Sequence, residues 1–575
     1  MPNTPKQHLL TIALEDYFQV DTFHKVIQGR HWPRFETRVE QNTRKALDLL
    51  SQFGLTASFF VRGWVAENLP ELVKEVVSRG HEVASQRYHH KPIIAMTQAE
   101  FRDDLVRTRE VLERASGTRI LGYRYQWLHP AEQWMLQVLA DEGYVYDSSI
   151  RPLWRSFGAE PAYRFVHLHT FEGKPLWEFP TSSWQLLGWQ VPIAGGNYFR
   201  QLPHPWLKRA IQHWHRTYNM PFVMYFHVWE LDPEQPRITA ASLVQRVRHY
   251  RNLDKMLKVL EYYFTEYRFT SIATYLQQSF PAQSMAGASS TPAADSCREV
   301  ALHLTQSHTP LPTPSASDGL QPPVVQLPVS IVVPCFNEAP TLPYLAKTLA
   351  SVRTVLASKY GLRLIFVDDG STDGTYDALQ RVFGGQANCT VLRHSQNRGI
   401  AAAILTGMRH ATTEIVCSID CDCTYDPHDL QYMIPLLTEG VDLVTASPYH
   451  VQGQVQNVPS WRLLVSKTVS WLYRQVLHNQ LATYTSCFRV YRRRAVIGLD
   501  GIADGFLGIV ELLCRLDLQG TKIVEYPTTL EVRMLGRSKM KMLRTVGSHL
   551  RLLGRLLVAR VLSRHDLNRG KKGTV

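Results

Sequence analysis

The chain has 575 residues, too many for one domain and enough for two large cores. Its 45% hydrophobic and 20% charged content is ordinary for globular protein. The net charge of +13 suits a membrane surface or phosphorylated substrates; with no nucleic-acid motif beside the basic stretch at 533–572, nucleic acid ranks last.

The opening residues, MPNTPKQHLLTIALEDYF, lack a basic segment followed by a long apolar stretch and a small-residue cleavage site, so no secretory signal is expected. No run of 18 apolar residues occurs, and no transmembrane helix is expected. Eleven of the 13 Trp lie before residue 230, and all 8 Cys lie at or after Cys297, which hints at two domains of separate origin. The cysteines lack paired spacing and read as reduced cytosolic thiols. Residues 281–327, rich in Ser, Thr, Ala, Pro and Gln, read as a flexible linker between a block at 1–280 and one at 328–575.

In the second block strand and helix patterns alternate. Strands are expected at 329–334, 362–367, 390–393, 414–419 and 442–446, and helices at 341–356, 373–383 and 399–409, with another before the last strand. Such alternation predicts parallel strands joined by right-handed crossovers, with ligands beyond the carboxyl ends of the strands. Asp368, Asp369, Asp420 and Asp422 all fall at such ends. Alternate residues of a strand share a face, so Asp420 and Asp422 are expected side by side, a hard-oxygen pair suited to a divalent cation carrying a diphosphate.

The motifs VSIVVPCFNE at 329–338, VDDGSTDGT at 367–375, NRGIAAAILTG at 397–407 and DCD at 420–422 resemble family 2 glycosyltransferases, which have a GT-A fold. SCFRVYRR at 486–493 and RMLGRSK at 533–539 are similar to the dolichol-phosphate mannosyltransferase subgroup. The resemblance implies a nucleotide-sugar pocket at Pro334, Glu338, Asp368, Asp369 and Asp420. Glu338 and Asp368 would accept hydrogen bonds from base and ribose, and Asp369 would frame the pocket. Asp420 and Asp422 would hold Mg²⁺ or Mn²⁺, which neutralises charge growing on the leaving nucleotide.

A hydroxyl acceptor needs a base, whereas a phosphate monoester, largely dianionic at neutral pH, needs cations to hold it. Arg489, Arg533, Arg537 and Lys539 are candidates for that clamp, and Glu511 is the candidate base if the acceptor is a hydroxyl. Residues 543–562 form an amphipathic basic pattern, with Leu543, Val546, Leu550, Leu553 and Leu557 along one stripe and Arg544, Arg551 and Arg555 on another face. That stripe packs on the domain's own core, lies on an anionic bilayer, or does both.

The first block resembles a polysaccharide deacetylase domain of the kind found at exopolysaccharide loci. The resemblance is carried by LTIALEDYFQV at 10–20, the stretch 57–85, GYR at 122–124, EFPTSSW at 178–184, GGNYFRQLP at 195–203 and YFHVWELDPEQPR at 225–237. It implies a distorted (β/α) barrel whose members hydrolyse N-acetyl groups with a bound metal. Three motifs depart from that pattern. Ala13 stands where the family has its aspartate base, and Gln86 replaces the first histidine of S-H-x-x-x-H while His90 remains. Arg124, followed by Tyr125 and Gln126, has lost the aspartate it would pair with. A weak or absent deacetylase follows, with Glu15, Asp16, Gln86, His90, Arg124 and His227 as its vestigial site. Rescue would need Glu15 as base and Asp16, His89 and His90 as ligands, and adjacent histidines on a strand point apart. Trp127 and Trp184 are candidates for stacking on sugar rings.

The expected whole is an α/β protein with a deacetylase-type barrel at 1–280, a linker, a GT-A (Rossmann-like) transferase at 328–542 and a basic amphipathic helix and tail at 543–575. Its expected function is metal-dependent, inverting sugar transfer from a nucleoside diphosphate to a polyprenyl phosphate or glycan acceptor in polysaccharide or glycolipid synthesis. The alternatives are a first block that also deacetylates, or one that only binds glycan; the changed ligands argue against Zn²⁺ there. The expected place is the cytoplasm, with peripheral contact at the inner face of the membrane.

Overall fold

The structure is a computed structural model that describes residues 6–88, 93–125, 128–151, 161–186, 189–280, 326–458, 460–499, 502, 505–536 and 547–558. The expected linker lies outside the described residues except at its last two positions. The described residues form two compact units, one within the N-terminal block and one that takes Pro33–Glu36 and Pro236–Ala241 together with the residues from 326 on.

The first unit is built on β1 (Gln7–Leu14), β2 (Ser58–Arg62), β3 (Glu82–Gln86), β4 (Gly122–Arg124), β5 (Tyr146–Asp147), β6 (His167–Phe171) and β7 (Lys174–Glu178). A hairpin of β8 (Ser183–Leu186) and β9 (Trp189–Pro192) follows, then β10 (Val223–His227) and β11 (Arg268–Thr270). The main sheet runs β10-β1-β2-β3-β4-β5-β7-β6, with β11 also pairing β1. All its pairings are parallel except the β6–β7 hairpin. Among the described residues β6 and β10 do not meet, so the barrel stays open. From His8 on, β1 is buried on both faces, which is why it reads as a continuous apolar run rather than an alternating one. The carboxyl ends of β1, β3, β4 and β10 deliver Glu15, Gln86, Arg124 and His227.

The second unit holds β12 (Leu327–Cys335), β13 (Tyr360–Asp368), β14 (Cys389–Arg393), β15 (Ile415–Ser418), β16 (Val441–Ser447), β17 (Gln454–Val455), β18 (Arg489–Arg492), β19 (Lys522–Pro527) and β20 (Thr529–Leu530). Its sheet runs β14-β13-β12-β15-β18-β16-β19, and β17 pairs with β20 apart from it. The helices Leu342–Leu356, Thr375–Phe383 and Ile400–His410 lie where the sequence pattern puts them. The sheet is mixed rather than wholly parallel, because β18 runs antiparallel to both neighbours. β18 is entered after the long helix Ser460–Val476 and a loop, and an apolar pattern does not encode strand direction.

Chain order places the site. From β12 the chain steps outward to β13 and β14, then returns to the other side of β12 as β15. Strand order reverses there, and a crevice opens beyond the carboxyl ends. β12 and β13 pair from Leu327↔Tyr360 to Cys335↔Asp368, so the loop carrying Glu338 leaves β12 at the same edge where Asp368 ends β13. Gly370 turns the chain after β13 with φ of +69°, and a Cβ there would meet the Gln396 carbonyl carbon at 2.5 Å.

Candidate functional site

Asp420 and Asp422 lie beyond the last residue of β15, in a turn whose Cys423 has φ of +52°. They are therefore not alternate residues of a strand as expected; the turn brings them together. Burial first, and then the Asp422 charge, raise Asp420 to about 7. Asp422 Oδ2 accepts a 2.5 Å hydrogen bond from Arg533 Nε, and Arg533 Nη2 donates to Glu338 Oε1 at 2.8 Å. Arg533 thus links the loop after β12 to the acidic turn after β15. Burial works against its charge, and the two carboxylates outweigh that and raise it.

Glu338 is set by its surroundings. Its N–H donates to Thr375 Oγ1 at 2.7 Å, and Thr341 Oγ1 donates to its carbonyl at 2.7 Å. Asn337, at φ of +52°, accepts from the Thr372 and Asp373 N–H groups. Asp368 is fully buried; its Oδ1 accepts from Ser371 N–H, and its Oδ2 lies 3.2 Å from Arg393 Nε without hydrogen-bond geometry. Pro334 is buried opposite Val367. Asp373 accepts from Thr375 N–H at 2.9 Å, just before the helix Thr375–Phe383.

Asp369 is committed within the protein. It accepts from Arg398 N–H at 2.9 Å, Gly399 N–H at 2.7 Å and His394 Nδ1 at 2.7 Å, and so ties β13 to the start of the helix Ile400–His410. Arg489 corrects the expectation of a phosphate clamp. It is fully buried and donates to the Ile509 and Tyr484 carbonyls at 2.9 Å each. Glu511 is buried on the helix Leu507–Leu518, where Arg515 Nη2 donates to it at 2.5 Å, so it is an engaged carboxylate rather than an open base. Arg537 and Lys539 lie outside the described residues.

Cys487 was not anticipated. Its thiol donates to Asp420 Oδ1, and burial raises it well above the usual thiol range. Cys335 and Cys421, drawn in by β12 and the acidic turn, have sulfurs 3.6 Å apart. All three belong to motifs read in the sequence, yet only the pairing of strands shows them converging.

Asp420 and Asp422 fit a divalent cation by donor chemistry, since both offer hard oxygens. Among the described residues no set of three ligating side chains forms, so two carboxylates plus a substrate diphosphate would complete the shell.

In the first unit the deacetylase positions are spent otherwise. Ala13 is buried and paired opposite His227 and Phe60. Glu15 accepts from Arg62 at 2.9 Å and from His227 Nδ1 at 2.9 Å. Burial opposes its charge, and Arg62 and His227 together bring it down to about 2, which makes it a poor base near neutral pH. Asp16 is raised to about 7 by burial, and accepts from Tyr17, Arg38 and Val39 N–H groups at the start of the helix Val39–Phe53. Gln86 Oε1 is buried and finds no hydrogen-bond partner among the described residues. Arg124 donates to Thr11 Oγ1 at 2.8 Å and to Ser148 Oγ at 2.7 Å. These residues do not fit a zinc site. His89, His90, Gln126 and Trp127 lie outside the described residues.

Comparison with known proteins agrees with both halves. The family model described as Polysaccharide deacetylase matches residues 31–146, a domain of unknown function (DUF3473) matches 148–277, and Glycosyl transferase family 2 matches 330–499. The dolichol-phosphate mannosyltransferase of Pyrococcus furiosus is 27% identical over 231 residues, which are 40% of this chain and 63% of that protein. The polyprenol monophosphomannose synthase of Mycolicibacterium smegmatis is 30% identical over 229 residues, 38% of this chain and 82% of that protein. The undecaprenyl-phosphate mannosyltransferase of Micrococcus luteus is 30% identical over 221 residues, 37% of this chain and 87% of that protein. The chain therefore spans less than two thirds of the Pyrococcus protein and most of the other two. With these motifs on this sheet and a relative matched along most of its length, the chain belongs, through its second unit, to glycosyl transferase family 2.

Proposed function

We propose that the second unit transfers a sugar from a nucleoside diphosphate to a polyprenyl phosphate, with Asp420 and Asp422 holding Mg²⁺ or Mn²⁺ on the donor. The carrying observation is the convergence of Asp420, Asp422, Glu338 and Arg533 beyond β12 and β15. The cation would offset negative charge on the departing diphosphate. Asp368 and Glu338 offer carboxylate oxygens to ribose and base hydrogens. A phosphate acceptor arrives already ionised, so no side chain need remove a proton, which suits a site whose Glu511 is engaged by Arg515. An acceptor phosphate oxygen bonds to the anomeric carbon as its bond to the diphosphate oxygen breaks, and the electron pair leaves with the nucleotide. Direct displacement of this kind inverts the anomeric centre. Arg533 is the described cation in position to hold the acceptor phosphate once the donor complex takes over its carboxylates.

The substrate lies in a bilayer, and the helix at 547–558 supports peripheral contact with one. Its Leu552, Leu553 and Leu556 are buried in the unit's core, and His549 meets Tyr473 Oη at 3.0 Å. Leu550, Leu557 and Val558 are exposed beside Arg551 and Arg555. The expected apolar stripe is thus divided: Leu553 packs inward, while Leu550 and Leu557 face out. Leu543 and Val546 lie outside the described residues. No helix among the described residues is long and apolar enough to cross a membrane. The test is transfer of radiolabelled sugar from nucleotide donors to polyprenyl phosphate with Mn²⁺ or Mg²⁺, wild type against Asp422→Ala. Transfer lost in the variant supports the assignment, and equal transfer in both disposes of it.

A further inference from the structure

The first unit keeps a cavity where the deacetylase chemistry has gone. It measures about 360 Å³, enough for a small ligand, and lies at the carboxyl end of β10 beside His227. Its wall is cationic: Arg87, Arg151, Arg200 and Arg248 face two carboxylates, Asp21 and Glu230. It is also aromatic, and the two features are paired. Arg87 stacks over Tyr125 at 4.5 Å, Arg151 over Tyr225 at 5.3 Å and Arg200 over Trp229 at 5.3 Å. Guanidinium groups set over aromatic rings are suited to a carboxylate or phosphate, which they can bind by paired N–H groups.

Among the described residues, three polar atoms of the lining find no hydrogen-bond partner: Arg200 Nη2, Trp229 Nε1 and Asn197 Oδ1. Arg200 is only 3% exposed, and its other nitrogens are committed to Glu230 Oε1 at 2.8 Å and the His249 carbonyl at 2.7 Å. Buried polar atoms without partners are costly, and a ligand offering both acceptors and a hydroxyl would satisfy all three. Burial first, and then the nearby Arg151, lower Arg124 to about 10.

We propose that this cavity is a non-hydrolytic binding site for a sugar residue bearing an anionic group, a carboxylate or a phosphate. The arginines take the oxyanion, the rings of Tyr125 and Tyr225 border the sugar, and Trp229 Nε1 and Asn197 Oδ1 take its hydroxyls. Hydrolysis is not part of the role: Ala13 stands in place of the family's base, and Glu15 is engaged by Arg62 and His227.

The test is calorimetric titration of the full chain with glucuronic acid, glucose 6-phosphate, glucose and inorganic phosphate. Saturating nucleoside diphosphate and Mn²⁺ keep the second unit's site filled throughout. Binding of one or both anionic sugars, at least tenfold tighter than glucose, is expected, and which of them binds identifies the anion. It should weaken as NaCl rises from 50 to 500 mM and weaken at least tenfold in Arg151→Gln and in Arg248→Gln. Arg248 is exposed, so its replacement leaves folding intact, and a melting curve of each variant confirms that. Glucose binding as well as the anionic sugars, phosphate alone binding as well as glucose 6-phosphate, or unchanged affinity in folded variants would each overturn the proposal.

Discussion

Replacing Arg533 with alanine isolates the electrostatic arrangement of the transferase site. The guanidinium makes two charge-assisted hydrogen bonds, to Asp422 and Glu338, and each such bond contributes about 1.5–3 kcal/mol. Removing one partner of a buried ion pair costs roughly 3–5 kcal/mol. Arg533 is 22% exposed, so a loss near the lower end, about 3 kcal/mol, is expected. For a domain of this size that lowers Tm by about 6–12 °C. The variant also leaves Asp420, Asp422 and Glu338 without that cation, so their mutual repulsion grows and a divalent ion should relieve it. Thermal melting of wild type and Arg533→Ala, each with and without millimolar Mn²⁺, reads both effects. Mn²⁺ should raise the variant's Tm more than the wild type's. A variant that melts with the wild type, or an equal Mn²⁺ effect on both, would refute the picture of Arg533 holding those carboxylates in place of a metal.

Two further outcomes follow from the same geometry. Glu15, brought from 4.5 to about 2 in the folded state, stabilises the first unit above pH 4.5, and that contribution fades as pH falls toward 2. The loss is about 3 kcal/mol. Chemical denaturation between pH 5 and 2 should show it in wild type and not in Glu15→Gln; parallel profiles would contradict the ion pair with Arg62. Arg489→Met should lower stability by roughly 2–6 kcal/mol through the two carbonyls it abandons, with KM for polyprenyl phosphate unchanged. A raised KM at unchanged stability would return Arg489 to the acceptor site.

What the sequence disclosed depended on whether a feature is local. β12 and β13 are legible because their buried stretches Ile331–Pro334 and Leu364–Val367 read as apolar runs, the second ending in Asp368 and Asp369. The direction of β18 is not local, and the sheet is mixed for that reason. The acidic pair at Asp420 and Asp422 is plain in the sequence, but its setting in a turn depends on where β15 stops. Arg489 and Arg533 look alike as basic residues in transferase motifs; only packing separates an arginine bound to carbonyls in the core from one bridging two carboxylates. The alanine at position 13, where the resemblance implies an aspartate, is visible in one residue, whereas the capture of Glu15 by Arg62 and His227 joins positions far apart in the chain. The outward turn of Leu550 and Leu557 reflects which helical face met Tyr473 and the core, a choice a helical wheel leaves open.

Metal-assisted nucleotide binding tests the central claim most directly. Titration of a nucleoside diphosphate into wild type, with and without Mn²⁺, should show at least a tenfold gain in affinity with the metal. In Asp422→Ala the gain should vanish while the metal-free affinity stays. An equal Mn²⁺ gain in both proteins would contradict a cation seated between Asp420, Asp422 and the diphosphate.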